Sequence, residues 1–385
     1  MIIKNGYIFT EDGEFQKGRL YIRDDRIEKI ETFDAADDTD ENGIDAGGMY
    51  VLPGFVDIHL HGALGADFCE AAKESFSVLE EYQIQNGVTT IFPATMTLDE
   101  KLLCEICEAT GKYVQNQGMG VIEGITMEGP FLSNGRRGAQ NPLYIRKPDV
   151  ELFHRMQQMS QNLIRQVAVA PEEDTDLEFI SKISKEAIVS VAHSEADYET
   201  AKKAFASGAN HVTHLFNGMN PFLHREPGIV GAALDTQAVF VELICDGIHI
   251  HPSMVRAMFR LFGADRICMI SDSLSATGMP DGEYSLGGQK VLKKGNRATL
   301  ADGTIAGSVC NLYECFKRVV KEMQIPLEKA ILSCTKTPAK SLGVDDMCGI
   351  LKEGRKADIL IIDEDLNIKY VIKNGKKIIN TAVKI

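Results

Sequence analysis

Eight short apolar segments, separated by stretches of helical or loop pattern, constrain the fold of this chain more than any other feature. Helical patterns intervene between them, among them residues 196–207 and 252–262. Such alternation is typical of parallel βα units, and eight units are what a (β/α)8 barrel requires. A doubly wound open sheet is the alternative, but no GxGxxG motif follows the first segment. The eight predicted strands are 54–58, 89–94, 123–127, 166–170, 188–192, 211–215, 239–245 and 267–271.

The two ends of the chain have a different pattern, with short strands joined by glycine-containing turns. Terminal segments often lie close together in a folded protein, so the two clusters can pair into one unit. We therefore expect an α/β protein with two parts. Residues 51–344 form a TIM-type barrel, and residues 1–50 and 345–385 form a small β-sandwich domain.

Composition limits the classes of function. The 385 residues are 44% hydrophobic and 25% charged, as in ordinary globular proteins, and the net charge of −14 disfavours a nucleic-acid partner. No apolar run approaches the roughly 20 residues that a membrane helix needs. The first residues lack a secretory pattern and the nine cysteines are scattered, so we expect a cytoplasmic protein.

Polar residues follow the predicted strands at the point where barrels keep their functional groups. A single histidine at such a position is more often structural, but the coincidence of six groups favours a metal site. In the HxH motif both rings lie on one face of the strand. Nitrogen and oxygen ligands without cysteine suit Zn²⁺ or Fe²⁺. The six residues are His59 and His61 in DIHLHG, Glu128 in MEGP, His193 in VAHSE, His214 in VTHLFN and Asp272 in MISDS.

These groups also indicate a reaction. A bound divalent ion lowers the pKa of water from about 15.7 toward about 7 and polarises a carbonyl group. Asp272 beside it could take a proton from water and pass it to a leaving group. The combination predicts a hydrolase that acts on amide-like bonds.

The same residues carry a resemblance to a known family. The chain resembles the amidohydrolase superfamily and, within it, the N-acetylglucosamine-6-phosphate deacetylase family. The HxH motif is general to the superfamily, whereas THLFNGM followed by REPG is much more specific. The matching stretches span most of residues 51–310 and are PGFVDIHLHG, GITMEGPFL, GAQNP, VAHSEA, HVTHLFNGMNPF, REPGIVGA, CDGIHIHP, MISDS and TIAGS.

The resemblance implies hydrolysis of the acetamide of a sugar phosphate to glucosamine 6-phosphate and acetate. It implies Glu128, His193 and His214 as core metal ligands and Asp272 as the catalytic acid and base. Because His59 and His61 are both present, one or two ions are expected. It also implies a homodimer in which Arg225 contacts the phosphate, in some members from the neighbouring subunit. The implied substrate contacts are Ala139, Gln140, Asn217, Gly218, Arg225, Asp246, His249, Ile305, Ala306 and Gly307.

Several alternatives stay open at this point. Gln140 stands where some members have a histidine, so the contribution of Gln140 to catalysis is left open. A deacetylase of N-acetylgalactosamine 6-phosphate, or of another N-acylated amine, differs by only one or two contacts. A dihydroorotase-like enzyme is disfavoured because the fourth strand ends VAVAPEED without a lysine. A non-catalytic scaffold is disfavoured because Asp272 and the ligand set are intact.

Overall fold

The computed structural model describes residues 1–32, 43–116 and 118–378. Its strands are β1 (Ile2–Phe9), β2 (Phe15–Arg23), β3 (Arg26–Thr32), β4 (Ile44–Asp45), β5 (Tyr50–Pro53), β6 (Phe55–Asp57), β7 (Gly62–Ala63), β8 (Ala66–Asp67), β9 (Val88–Ile91), β10 (Ile125–Met127), β11 (Ile164–Val169), β12 (Ile188–Val191), β13 (His211–Val212), β14 (Phe240–Ile244), β15 (Ile267–Ile270), β16 (Gly282–Leu286), β17 (Gln289–Lys294), β18 (Arg297–Thr299), β19 (Ile359–Ile362), β20 (Ile368–Lys373) and β21 (Lys376–Ile378).

The helices lie mostly between the strands of the barrel. The predicted helices at 196–207 and 252–262 are present as α5 and α7. The α-helices are α1 (Lys73–Gln85), α2 (Glu100–Gln115), α3 (Val150–Met159), α4 (Glu178–Ile183), α5 (Tyr198–Ala206), α6 (Gly228–Leu234), α7 (Pro252–Leu261), α8 (Leu312–Lys321), α9 (Leu327–Cys334) and α10 (Lys336–Ser341). Short 3-10 helices span Phe68–Glu70, Asn134–Arg136, Pro171–Glu173 and Thr175–Leu177.

All eight predicted barrel strands are present, as β6 and β9 to β15. Strands β10 to β15 pair in sequence order and in parallel, and β6 pairs in parallel with β9. A parallel bridge between Ala94 and Thr126 links the β9 segment to β10. The amide of Asp272 donates to the carbonyl of His59 at 2.9 Å and joins the last strand to the first. The (β/α)8 expectation is confirmed.

The helices pack on the barrel through one apolar face. Helix α7 has proline at its first position and buries Val255, Met258 and Phe259, which are spaced three and four residues apart. Helix α8 begins with a capping box, in which Asn311 and Glu314 each accept from the other's backbone amide. Local sequence therefore determines where these helices begin and which face is buried.

The chain ends form one sheet, with strand order β21-β20-β19-β5-β1-β2-β3 and with β4 beside β1. The sheet bends so that β3 meets the segment before β19, where the Ile27 amide donates to the Arg355 carbonyl at 2.9 Å. Aliphatic side chains such as Leu20 and Ile359 fill the enclosed space. Strand β5 crosses the boundary expected at residue 50, and residues 33–42 and 379–385 of the expected small domain lie outside the described residues.

A small antiparallel sheet of β16, β17 and β18 follows the last barrel strand. The sequence analysis did not identify it. Its first turn reaches over the carboxyl ends of the barrel strands, where Gln289 donates to the carbonyl of Ala139. Leu286 of β16 lines the cavity described below. The insertion thus forms one wall of the barrel mouth.

Candidate metal centre and substrate cavity

The six strand-end residues meet at the barrel mouth, and all of them are buried. Each lies just beyond the carboxyl end of its strand, as the sequence analysis expected. His59 and His61 follow β6, Glu128 follows β10, His193 follows β12, His214 follows β13 and Asp272 follows β15.

Three of these residues have a left-handed backbone. The φ angles are 43° at His193, 27° at His214 and 48° at Asp272. L-residues disfavour this region, and its occupation by non-glycine residues is concentrated at functional sites. Each left-handed residue ends the extended path two positions after its strand. No sequence pattern indicated this feature.

Glu128 lies at the centre of the cluster and faces two pairs of histidines. Its Oε1 lies 3.1 Å from Nε2 of His193 and 3.0 Å from Nε2 of His214. Its Oε2 lies 3.3 Å from Nε2 of His61 and 3.7 Å from Nε2 of His59. One carboxylate therefore bridges two groups of candidate ligands, each compact enough to hold an ion.

Asp272 lies on the other side of His59 and His61 from Glu128. Its Oδ1 lies 3.3 Å from Nε2 of His61 and 3.7 Å from Nε2 of His59. The two imidazoles of the HxH motif thus lie between the carboxylates of Glu128 and Asp272. Asp272 also lines the cavity, so its carboxylate is accessible to a ligand there.

All four imidazoles turn Nε2 toward the centre, and each has a partner for Nδ1 on its outer side. Three of the partners are backbone carbonyls: that of Ala94 lies 3.2 Å from His61, that of Arg136 lies 2.9 Å from His193, and that of Asn217 lies 3.2 Å from His214. The partner of His59 is the carboxylate of Glu242, at 3.1 Å. These partners accept hydrogen bonds, so Nδ1 donates, and in the neutral imidazole Nε2 carries the lone pair that a metal would bind.

The donor set fits a divalent cation. The Nε2 atoms of His193 and His214 are 3.1 Å apart, and their lone pairs face each other and the Glu128 carboxylate. The buried Nε2 of His59 has no hydrogen-bond partner among the described residues. A buried polar atom without a partner is costly, and a cation bound at this point would satisfy all of these atoms.

The electrostatics of the centre are strongly coupled. Burial alone would raise the pKa of Glu128, but the imidazoles of His59, His193 and His214 hold it well below its usual range. Burial alone would lower the pKa of His61, but hydrogen bonds to Asp272 and Glu128 raise it to about 9. Without an ion, protons on His59 and His61 balance the buried carboxylates.

A cavity of about 190 Å³ opens from this centre to solvent. Four further lining residues were not predicted from the sequence: Met96, Gly138, Leu286 and Thr304. The predicted substrate contacts that line the cavity are Ala139, Gln140, Asn217, Gly218, His249, Ile305, Ala306 and Gly307.

Gln140 has a fixed orientation beside the metal centre. Its Oε1 accepts from the backbone amide of Thr97 at 2.7 Å, so its Nε2 faces Glu128 and donates to Oε2 at 2.9 Å. The side chain lines the cavity and at the same time holds the bridging carboxylate in place. Because the amide donates, this contact favours the ionised form of Glu128.

Asp246 lies behind the cavity wall and does not line it. Its carboxylate accepts from Nδ1 of His249 at 2.8 Å and from the backbone amide of the same residue at 2.9 Å. Burial alone would lower the pKa of His249, but Asp246 raises it. Of this predicted pair, His249 can contact a ligand and Asp246 positions its ring.

Arg225 is not brought to the cavity of its own chain. It is exposed and lines a separate surface groove with Asn220 and Leu223. Its Nη1 lies 2.8 Å from Nε2 of His224. Arg225 therefore lies outside the cavity that contains the metal centre.

Sequence reasoning missed Glu242, which lies within strand β14. Its side chain is fully buried and contacts His59. The available signal was a charged residue inside the apolar run VFVELIC. His211, at the start of β13, is also buried and lies outside the cavity. Burial lowers the pKa of its imidazole to about 4.

Comparison with known proteins agrees with this geometry. The model of the amidohydrolase family matches residues 50–378. This chain belongs to the amidohydrolase family.

Among its relatives in that family, an N-acetylglucosamine-6-phosphate deacetylase of Bacillus subtilis is 33% identical over 97% of this chain and 96% of its own length. An N-acetylgalactosamine-6-phosphate deacetylase of Escherichia coli O157:H7 is 29% identical over 97% of this chain and 98% of its own length. A solved structure of a variant N-acetyl-D-glucosamine-6-phosphate deacetylase from Mycobacterium smegmatis, in complex with N-acetyl-D-glucosamine-6-phosphate, superimposes with a TM-score of 0.92. It is 31% identical and the match covers 98% of this chain and 99% of that one.

Within the described part of the chain, no helix combines the length and apolar character needed to cross a membrane.

Proposed function

We propose that this amidohydrolase hydrolyses the acetamide of N-acetyl-D-glucosamine 6-phosphate to D-glucosamine 6-phosphate and acetate. The observation that carries the proposal is the Glu128-bridged histidine cluster, which lies beside Asp272 at the base of an open cavity. Relatives named for this reaction match nearly the whole chain.

The ligand groups support one or two divalent ions, with Zn²⁺ or Fe²⁺ best suited to the nitrogen and oxygen donors. Glu128, His193 and His214 would hold one ion, and His59 and His61 would hold a second with the same glutamate. An ion bound there supplies positive charge that favours deprotonation of water and polarises the acetyl carbonyl.

Asp272 is the residue that moves protons in this proposal. Burial alone would raise its pKa, but His61, His59 and His214 lower it, so the carboxylate is ionised at neutral pH. It takes a proton from water as the water oxygen bonds to the acetyl carbon. It then delivers that proton to the amide nitrogen as the carbon–nitrogen bond breaks, giving acetate and the free amine.

Residues of the cavity wall hold the sugar. Asn217, Gly218, His249 and Ile305 to Gly307 line the cavity beside the metal centre and would contact the ring hydroxyls. Gln140 donates to Glu128 and also lines the cavity. These residues define the orientation in which the acetamide meets Asp272.

The phosphate needs a cation that the chain does not place in its own cavity. Among the described residues that line it there is neither lysine nor arginine. We propose that Arg225 of a second subunit contacts the phosphate in a homodimer, because a guanidinium binds phosphate in a bidentate manner. The expected setting is the cytoplasm, where such a sugar phosphate would be found.

A second candidate is the epimer N-acetylgalactosamine 6-phosphate, because a relative named for that substrate is 29% identical. The test is a panel of both epimers, each with and without the phosphate, with acetate release measured on metal-loaded protein. The highest kcat/KM on N-acetylglucosamine 6-phosphate supports the proposal. A higher value on the galactose epimer supports the second candidate, and no release from any of the four contradicts both.

A further inference from the structure

Glu242 is a charged residue in a place where charge is costly. It lies in the middle of barrel strand β14, and its side chain is fully buried below the cavity. Removing a carboxylate from water is costly unless hydrogen bonds compensate it. The contacts of Glu242 therefore indicate what compensates its buried charge and which residues it holds in position.

Both carboxylate oxygens of Glu242 accept from donors deep in the barrel. Oε2 lies 3.1 Å from Nδ1 of His59 and 3.2 Å from the backbone amide of His214. Oε1 accepts from Nε2 of Gln166 at 2.8 Å and lies 3.4 Å from Nδ1 of His211. Two of these four partners are candidate metal ligands.

His59 differs from the other three imidazoles in the kind of partner that holds it. The outer nitrogens of His61, His193 and His214 face neutral backbone carbonyls. That of His59 faces a carboxylate, which orients the ring more firmly and makes its inner nitrogen a stronger base toward a metal. The inner nitrogen of His59 points to the space between Glu128 and Asp272.

We propose that Glu242 is a positioning residue that determines whether the His59–His61 side of the centre holds an ion. It acts through His59 and does not touch the cavity. The His193–His214 side is held by its own carbonyl partners and keeps its ion without the charge of Glu242. The inference rests on the metal dependence proposed above and is independent of which sugar phosphate is hydrolysed.

The test is the metal content of full-length Glu242→Gln, titrated with Zn²⁺ in a metal buffer and measured by elemental analysis without substrate. Wild-type protein should bind two ions per chain. The variant should keep the first ion and bind the second about 10- to 100-fold more weakly, as is typical for partners of metal-ligating histidines. A Co²⁺-loaded sample gives a second readout, because its visible absorption should change to that of a single site.

Glu80→Gln is the matched control. Glu80 is equally buried and accepts from four donors, the hydroxyl of Tyr113 and the amides of Met119, Val121 and Ile122, remote from the metal centre. Its variant should lose thermal stability while both ions bind as in the wild type. Equal loss of metal in both variants would show a general loss of stability and overturn the proposal.

His59→Asn separates a direct role from an indirect one. If Glu242 acts through His59, adding Glu242→Gln to His59→Asn should leave metal binding unchanged, whereas a further loss would overturn the proposal. Should Glu242→Gln not fold, Glu242→Asp makes the same test by withdrawing the carboxylate from His59. Wild-type affinity for two ions in the folded variant, or a wild-type chain that binds one ion, overturns the inference. A wild-type chain that binds none contradicts the metal proposal itself.

Discussion

The Nε2 atoms of His193 and His214 lie 3.1 Å apart and share the same carboxylate oxygen of Glu128. Both outer nitrogens donate to backbone carbonyls, so both inner nitrogens present lone pairs to one point. Two lone pairs at this distance repel each other unless a proton or a metal cation lies between them. The pair is therefore arranged to hold a cation.

Metal affinity should depend on pH, because protonation of His61 competes with the metal ion. Its pKa is raised to about 9, so its ion pairs with Asp272 and Glu128 stabilise the metal-free protein below the unfolded pKa of about 6.5. That contribution is lost as the pH rises through about 9. A metal ion must displace the same proton, so Zn²⁺ affinity should increase as the pH rises toward 9.

The measurement is Zn²⁺ affinity at several pH values, together with the melting temperature of chelated and metal-loaded protein. At a metal concentration 1,000 times Kd, about 4 kcal/mol of stabilisation is expected. The difference in melting temperature should shrink as the pH falls. An affinity independent of pH from 6 to 9 would contradict the assignment of His61 as a ligand.

Asp272→Asn should abolish most turnover while the protein still binds metal. The amide cannot accept a proton from water, and loss of general acid–base catalysis costs about 10²- to 10⁴-fold. The measurement is kcat on N-acetylglucosamine 6-phosphate beside the Zn²⁺ content of the same sample. Asp12→Asn, on the exposed loop after β1, is the control and should behave as the wild type. Turnover within tenfold of wild type would remove Asp272 from the proposed role.

Arg225→Ala should weaken the preference for phosphorylated substrate. Loss of a charged hydrogen bond of about 1.5–3 kcal/mol corresponds to about 10- to 100-fold in kcat/KM. The unphosphorylated sugar should be hydrolysed as by the wild type. Arg260→Ala, which removes an exposed arginine from α7, should change neither value.

Mixing two variants tests which subunit Arg225 serves in the proposed homodimer. If Arg225 acts on its neighbour, an Arg225→Ala subunit paired with an Asp272→Asn subunit has one complete site, and activity should return when the two proteins are co-refolded. If Arg225 acts within its own chain, neither site is complete and mixing restores nothing. The second result would rule out the proposed contact between subunits.

Gly218→Ala should disrupt the His193 side of the centre. A Cβ at this position would lie 2.7 Å from Nδ1 of His193, and φ is +61°. Gly295 has the same φ of +61° with nothing within 4 Å of its Cβ position, so Gly295→Ala measures the backbone cost alone. Gly218→Ala should lose both metal and activity, and Gly295→Ala only stability. Equal metal content in the two variants would contradict this account of Gly218.

The sequence by itself determined the barrel and the positions of the candidate metal ligands. Strand-length apolar runs, separated by helices, place the residues that follow each strand at one end of the barrel, so His59, Glu128 and Asp272 could be grouped before any coordinates. This succeeds because burial and backbone pairing act on local patterns that are readable along the chain. It also explains why the strand-end residues were found while Glu242, inside a strand, was not.

Only the tertiary structure decided how those residues are held. The left-handed backbone at His193, the carboxylate behind His59 and the position of Asp246 behind His249 depend on contacts between segments far apart in sequence. The exposed position of Arg225, outside its own cavity, is of the same kind. Hydrogen-bond partners that are far apart in sequence leave no periodic pattern in it, because each contact is fixed by the packing of the whole barrel.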